Sequence, residues 1–140
     1  MAETDLAATV MVPGHASGRV LVLDDALSFW GGFDAESGTV IDAHHPQCGE
    51  VISGRILVMP GGRGSSSSSS VLAEGIRAGT APAAIVLPEA DEIIVLGALV
   101  VKLLDGKSIP VVALDAAMLA SLATGDEVTI DEAGTIRINS

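Results

Sequence analysis

Three short apolar runs, Arg55–Met59, Ala83–Leu87 and Val111–Leu114, constrain this chain more than anything else in it. Each is continuous rather than alternating, as expected of strands buried on both faces. Between them lie stretches with helical spacing. Val71–Ala78 places Leu72 and Ile76 on one face and stops at Gly79, and Asp91–Leu104 is apolar enough for a buried helix. Such alternation implies mixed α/β layers. The core must be aliphatic, because only Phe29, Trp30 and Phe33 are aromatic. The chain of 140 residues is expected to form a single domain, with its core between about residues 9 and 138.

Ahead of the three runs, Met1–Ala8 reads as a frayed start, Thr9–Pro13 as a short strand and Gly18–Leu23 as a longer one. Asp24–Asp42 is loop-rich, with a turn at Glu36-Ser37-Gly38 and an extended piece at Thr39–Ile41. Behind the runs, Ala116–Ala123 reads as a short helix. Glu127–Ile130 and Thr135–Ile138 read as a hairpin, taken as a charged sheet edge.

Charge excludes several functions. A formal net charge of −11 disfavours nucleic acid and anionic membranes, both of which are bound through Lys and Arg. The longest apolar run, Ile93–Val101, falls well short of the ~20 residues that span a bilayer. No basic region followed by an apolar stretch opens the chain, so a cytoplasmic protein is expected. Cys48 is the only cysteine, so no disulfide or cysteine-rich metal site can form within the chain. His15, His44, His45 and Cys48 show no metal-ligand spacing, and no metal ligand is assigned.

The strongest chemical signal is the order strand, Pro60, Gly61-Gly62-Arg63-Gly64, Ser65, helix. The glycines let backbone approach a ligand closely. Free amides at a helix start, with the helix dipole, attract an anion, and a substrate carboxylate would suit such a site. Arg63 offers a bidentate fork. Ser65 is placed either to cap the helix, the commoner role, or to act chemically. A second signal is Ser28-Phe29-Trp30-Gly31-Gly32-Phe33, which gathers all the aromatics into one glycine-rich turn: a packing plug or a binding surface. His45, set by Pro46, is either part of a surface loop or a substrate-facing donor or proton shuttle.

Taken together, Ser28-Phe29-Trp30-Gly31-Gly32, Asp34, Gly38, His45-Pro46, Gly49, Pro60, Gly62-Arg63-Gly64-Ser65, Ala81-Pro82-Ala83-Ala84-Ile85 and Ile109-Pro110 resemble the small subunit of aconitase X. The resemblance runs from about Gly18 to Leu114. It implies a swivelling β/β/α domain like the fourth domain of aconitase. It also implies that Ser65, as an alkoxide, removes a proton beside a carboxylate while hydroxide leaves the neighbouring carbon. Substrate contacts are expected from Arg63, Gly64, Ser66, Ser69, Ser28, Phe29, Trp30, Gly31, Gly32 and His45. An iron or iron–sulfur centre is expected on a separate large subunit, with none bound by this chain.

Two substrates fit the resemblance: cis-3-hydroxy-L-proline, giving Δ1-pyrroline-2-carboxylate, and mevalonate 5-phosphate. The Ser28–Gly32 and His44–Gln47 segments look more like the first. A reading from another class is a non-catalytic module that binds a carboxylate metabolite or a partner through the Phe29–Phe33 surface.

Overall fold

The computed structural model describes residues 3–61 and 67–139. Among them lie ten strands and four short or long helical segments: β1 (Glu3–Ala7), β2 (Thr9–Val12), β3 (Ala16–Val22), α1 (Phe29–Gly32), β4 (Phe33–Asp34), β5 (Thr39–Val40), β6 (Ile56–Val58), α2 (Ser67–Ala78), β7 (Ala84–Leu87), α3 (Glu92–Asp105), β8 (Val111–Ala113), α4 (Ala116–Leu119), β9 (Glu127–Ile130) and β10 (Thr135–Asn139). Eight strands form one sheet in the order β1-β10-β9-β3-β6-β7-β8-β2, while β4 and β5 form a separate hairpin.

The three apolar runs are the parallel strands β6, β7 and β8, with β3 parallel to β6 on their flank. Their side chains alternate between two cores. Leu57, Ile85 and Val111 join Leu72, Ile76, Ile94 and Val101 under α2 and α3. Ile56, Val86 and Val112 point the other way and meet Val128, Ile130, Ile136 and Ile138 of the β9–β10 hairpin. Burial on both faces is why these runs are continuous rather than alternating.

The outer strands fold over the second core. β1 and β2 occupy opposite ends of the strand order, yet only Ala8 separates them in the chain. Two Cα steps span less than about 8 Å. The sheet must therefore curl until its ends meet, and the Ala8 amide donates to Gly134 O at 2.9 Å where it does so. The result is two β layers sharing β3, with helices outside one of them.

Three expectations are corrected here. Glu3–Ala7 is not frayed: as β1 it pairs antiparallel with β10 from Glu3↔Asn139 to Ala7↔Thr135. The β9–β10 hairpin is consequently not an edge, because β1 covers one side and β3 the other. Its charged residues flank an interior pair of strands. α4 is also shorter than the Ala116–Ala123 helix expected, closing at Ala120.

Helix ends follow local chemistry. Asp91 caps α3 by accepting from the amides of Ile93 and Ile94, both at 3.0 Å. α2 ends in a Schellman pair, with Thr80 N–H on Gly75 O at 2.9 Å and Gly79 N–H on Ile76 O at 3.2 Å. No described helix is long and apolar enough to cross a membrane.

The helices pack closely at Gly97 of α3, where an added Cβ would lie 2.7 Å from Ser69 O and 3.2 Å from Ser69 Cα. Gly97→Ala would gain helix propensity worth up to about 1 kcal/mol, but overpacking costs about 1–3 kcal/mol. We expect a net loss of up to about 2 kcal/mol, read as a lower urea midpoint. A raised midpoint would refute the close approach.

Asp34 organises the β4–β5 turn. The Ser37 hydroxyl donates to its carboxylate at 2.8 Å and the Glu36 amide at 3.1 Å. The first bond, then the second, holds the carboxyl below its ordinary value, against an opposing effect of desolvation. The stability it contributes is thus present above the unfolded aspartate value and fades as pH falls through the lower folded one. NMR titration of the side-chain carboxyl should show a lowered midpoint that moves back up in Ser37→Ala.

Candidate active site

Parallel pairing decides which loops meet. Val22↔Val58 is the last pair of the β3–β6 register, and Leu23 N–H donates to Val58 O at 2.8 Å. Both strands therefore release their following loops at the same edge. One loop carries the aromatic turn and the other leads through Pro60 and Gly61 towards α2. In open α/β sheets this carboxyl-end edge is where ligands bind. Arg63, Gly64, Ser65 and Ser66 lie outside the described residues.

The segment Phe29–Gly32, although helical by its hydrogen bonding, is a type II turn in its angles. Trp30 has φ −76° and ψ 118°, and Gly31 has φ 79° and ψ −14°. The second angle pair favours glycine, which accounts for Gly31. The turn divides the aromatics. Phe29 is 1% exposed and its ring meets that of Phe33 edge-on, with centroids 5.4 Å apart. Trp30 is 60% exposed. Of the expected substrate contacts in this turn, Trp30 presents its ring outward, whereas Phe29 is a core plug and Gly32 is buried against Leu27.

Four serines open the described part of α2, and only one of them is buried. Ser68 is 3% exposed and accepts the Trp30 amide at 3.1 Å, while Ser28 Oγ lies 3.3 Å from its hydroxyl. Ser28 also donates to Trp30 O at 2.8 Å. The aromatic turn and the start of α2 are thus bonded together. Ser69, expected to contact substrate, is half-buried and sets its backbone against Gly97 of α3. Ser68 was not anticipated, although its position four residues before Leu72 and eight before Ile76 puts all three on one buried stripe.

His45 is 5% exposed, and both ring nitrogens are engaged inside the chain. Nδ1 accepts the Gln47 amide at 3.0 Å, and Nε2 lies 3.0 Å from Asp25 O. A carbonyl can only accept, so the proton is assigned to Nε2. Gln47 reinforces the contact by donating to the Asp24 carboxylate at 2.9 Å and accepting the Asp24 amide at 3.2 Å. The His45–Gln47 segment thus ties down the loop that leaves β3. In this arrangement the ring fastens the fold and presents neither nitrogen outward. His44 is exposed, and its amide donates to Asp42.

Beside Pro60 the strand ends and α4 enclose an apolar cleft of roughly 320 Å³, lined by Leu23, Met59, Leu119 and Leu122 among others. Among the described residues, no cluster of three or more His, Cys, Asp or Glu could hold a metal ion.

Comparison with known proteins places this architecture. The aconitase X swivel domain family matches residues 5–138. The crystal structure of Thermococcus kodakaraensis aconitase X in its holo-form superposes with a TM-score of 0.86 at 36% identity, covering 98% of this chain and 99% of that one. A phosphomevalonate dehydratase small subunit from Methanocella arvoryzae is 38% identical over 128 residues, 90% of this chain and 92% of that protein. The cis-3-hydroxy-L-proline dehydratase of Pseudomonas aeruginosa is 54% identical over 104 residues, 74% of this chain. The matched part makes up only 18% of that dehydratase's length. The mixed sheet, its helical layer and the match across nearly the whole sequence agree: this chain belongs to the aconitase X swivel domain family.

Proposed function

We propose that this chain is the small subunit of a two-part dehydratase acting on cis-3-hydroxy-L-proline, with Ser65 as the proton-abstracting base. The observation that carries the reading is the junction at Ser68, which joins the Trp30 turn to the helix that follows the Gly61–Ser66 segment. Two motifs nearly forty residues apart thereby frame one edge of the sheet. The length relations support a divided enzyme. This chain matches the small subunits from Methanocella arvoryzae and Thermococcus kodakarensis over nearly their full length, but the Pseudomonas dehydratase over only 18% of its length. A large subunit would supply the remainder.

In this reading, substrate carboxylate binds near Arg63 and the amides that open α2. Ser65 takes the proton from the carbon bearing the carboxylate. Hydroxide leaves the neighbouring carbon, and the enamine formed tautomerises to Δ1-pyrroline-2-carboxylate. A serine alkoxide is a strong base at neutral pH only where positive charge and amide dipoles stabilise it. The expected iron or iron–sulfur centre would be held by the large subunit.

Cation placement favours the hydroxyproline over a phosphorylated substrate. Arg19 pairs with Glu127, Arg77 with Asp105, and Arg137 with Asp5. Arg55 donates to the carbonyls of Arg19 and Val20 at the start of the β3–β6 pair. Lys102 and Lys107 lie at and beyond the last turn of α3, the end opposite the candidate site. In the sequence Arg63 is the one cation within the Gly61–Ser65 segment itself, enough for a carboxylate but thin for a phosphate. The near full-length match to phosphomevalonate dehydratase small subunits favours the second reading, the same scaffold working on mevalonate 5-phosphate.

The test is co-expression with the large subunit and side-by-side assay of both substrates. We expect turnover of cis-3-hydroxy-L-proline, and a loss of about 10²–10⁴-fold in kcat for Ser65→Ala with the fold intact. Near-normal turnover in that variant would remove Ser65 as the base. Turnover of mevalonate 5-phosphate alone would establish the second reading. Failure to associate with any such subunit would instead favour a non-catalytic binding module.

A further inference from the structure

We propose that Ser68 is a positioning residue, whose buried hydroxyl closes a ring of hydrogen bonds that holds the Trp30 turn on the first turns of α2. The ring follows from counting hydrogens. Ser28 Oγ has one hydrogen, and it is committed to Trp30 O at 2.8 Å. The 3.3 Å contact between Ser28 and Ser68 must then have Ser68 as donor. Ser68 in turn accepts the Trp30 amide at 3.1 Å. The path runs from the Trp30 amide to Ser68, to Ser28, and back to the Trp30 carbonyl.

Each hydroxyl in this ring both donates and accepts, an arrangement in which hydrogen bonds reinforce one another. It uses the only hydrogen of Ser68, so that hydroxyl has none to give to a substrate. Its role is exerted through Trp30. The main-chain amide of an outward-facing tryptophan is bonded to the helix directly, and its carbonyl is tied to the helix through Ser28. That helix follows the segment containing Ser65, so the turn and the catalytic segment share one rigid support. The catalytic part of this argument rests on the dehydratase reading; the hydrogen-bond ring does not.

The main-chain amide of Trp30 reports the ring directly. In the isolated, ¹⁵N-labelled chain, Ser68→Ala should speed hydrogen exchange at Trp30 by about tenfold, the scale of one hydrogen bond. The α2 amides of Leu72 and Ile76 should keep their protection, showing that the helix persists. Ser28→Ala, at a less buried position, should also speed exchange at Trp30, and it carries the test if Ser68→Ala does not fold. In the reconstituted dehydratase, Ser68→Ala should raise KM about tenfold while leaving kcat within about threefold. Unchanged Trp30 exchange in the folded variants would overturn the proposal, whether or not any substrate is turned over. A fall in kcat without faster exchange would overturn it too, by making Ser68 catalytic. If neither substrate is turned over, the dehydratase reading fails and the exchange measurement still decides the ring.

Discussion

The parallel pairing of β3 with β6 is the contact on which the other features depend. Its register, Val20↔Ile56 to Val22↔Val58, determines where two loops leave the sheet. It also determines which face each side chain takes. Leu21 and Leu57 face the helices, while Val20, Ile56 and Val58 face the folded-over hairpin. A slip of one residue would exchange the two cores and carry every side chain to the wrong layer. β3 belongs to both layers, pairing with β9 on its other side, so the same strand joins the curled half to the helical half.

The candidate site inherits its geometry from that pairing. Loops on neighbouring parallel strands emerge side by side, and helices that follow such strands begin at the same edge. The Trp30 turn therefore faces the start of α2. Hydroxyls make the final connection. Serine suits the position because it is small enough to sit in a helix–turn contact and both donates and accepts. The acidic surface adds little to this assembly: Arg19, Arg77 and Arg137 pair with carboxylates elsewhere, at exposed positions where ion pairs contribute modestly.

Much of this organisation was readable from residue order. Continuous apolar runs identified β6, β7 and β8, because strands covered on both faces have no reason to alternate. Asp91, the spacing of Leu72 and Ile76, and Gly79 marked helix boundaries through local chemistry. The glycine-rich aromatic segment was recognisable as a turn, and its resemblance to aconitase X small subunits pointed to the family. β1 was not readable in the same way. Glu3–Ala7 carries two acidic residues and little apolar pattern, and it is a strand because β10 offers it a free edge. With β1 unseen, the β9–β10 hairpin looked like an edge itself.

The serine run shows the same division most sharply. Six consecutive serines, Ser65–Ser70, are chemically identical, so composition cannot assign them different tasks. Helical periodicity separates them: Ser68 falls on the stripe of Leu72 and Ile76, and Ser69 turns its backbone to α3. What faces Ser68 was decided only by tertiary structure, because the Trp30 turn arrives from a different strand. The sequence by itself determined the layers, the helix ends and the family, all of which rest on local pattern and residue type. Tertiary structure decided the partners of the buried hydroxyls, the orientation of Trp30 and the engagement of both His45 nitrogens. Those depend on the register between strands far apart in the chain, which local propensity does not encode.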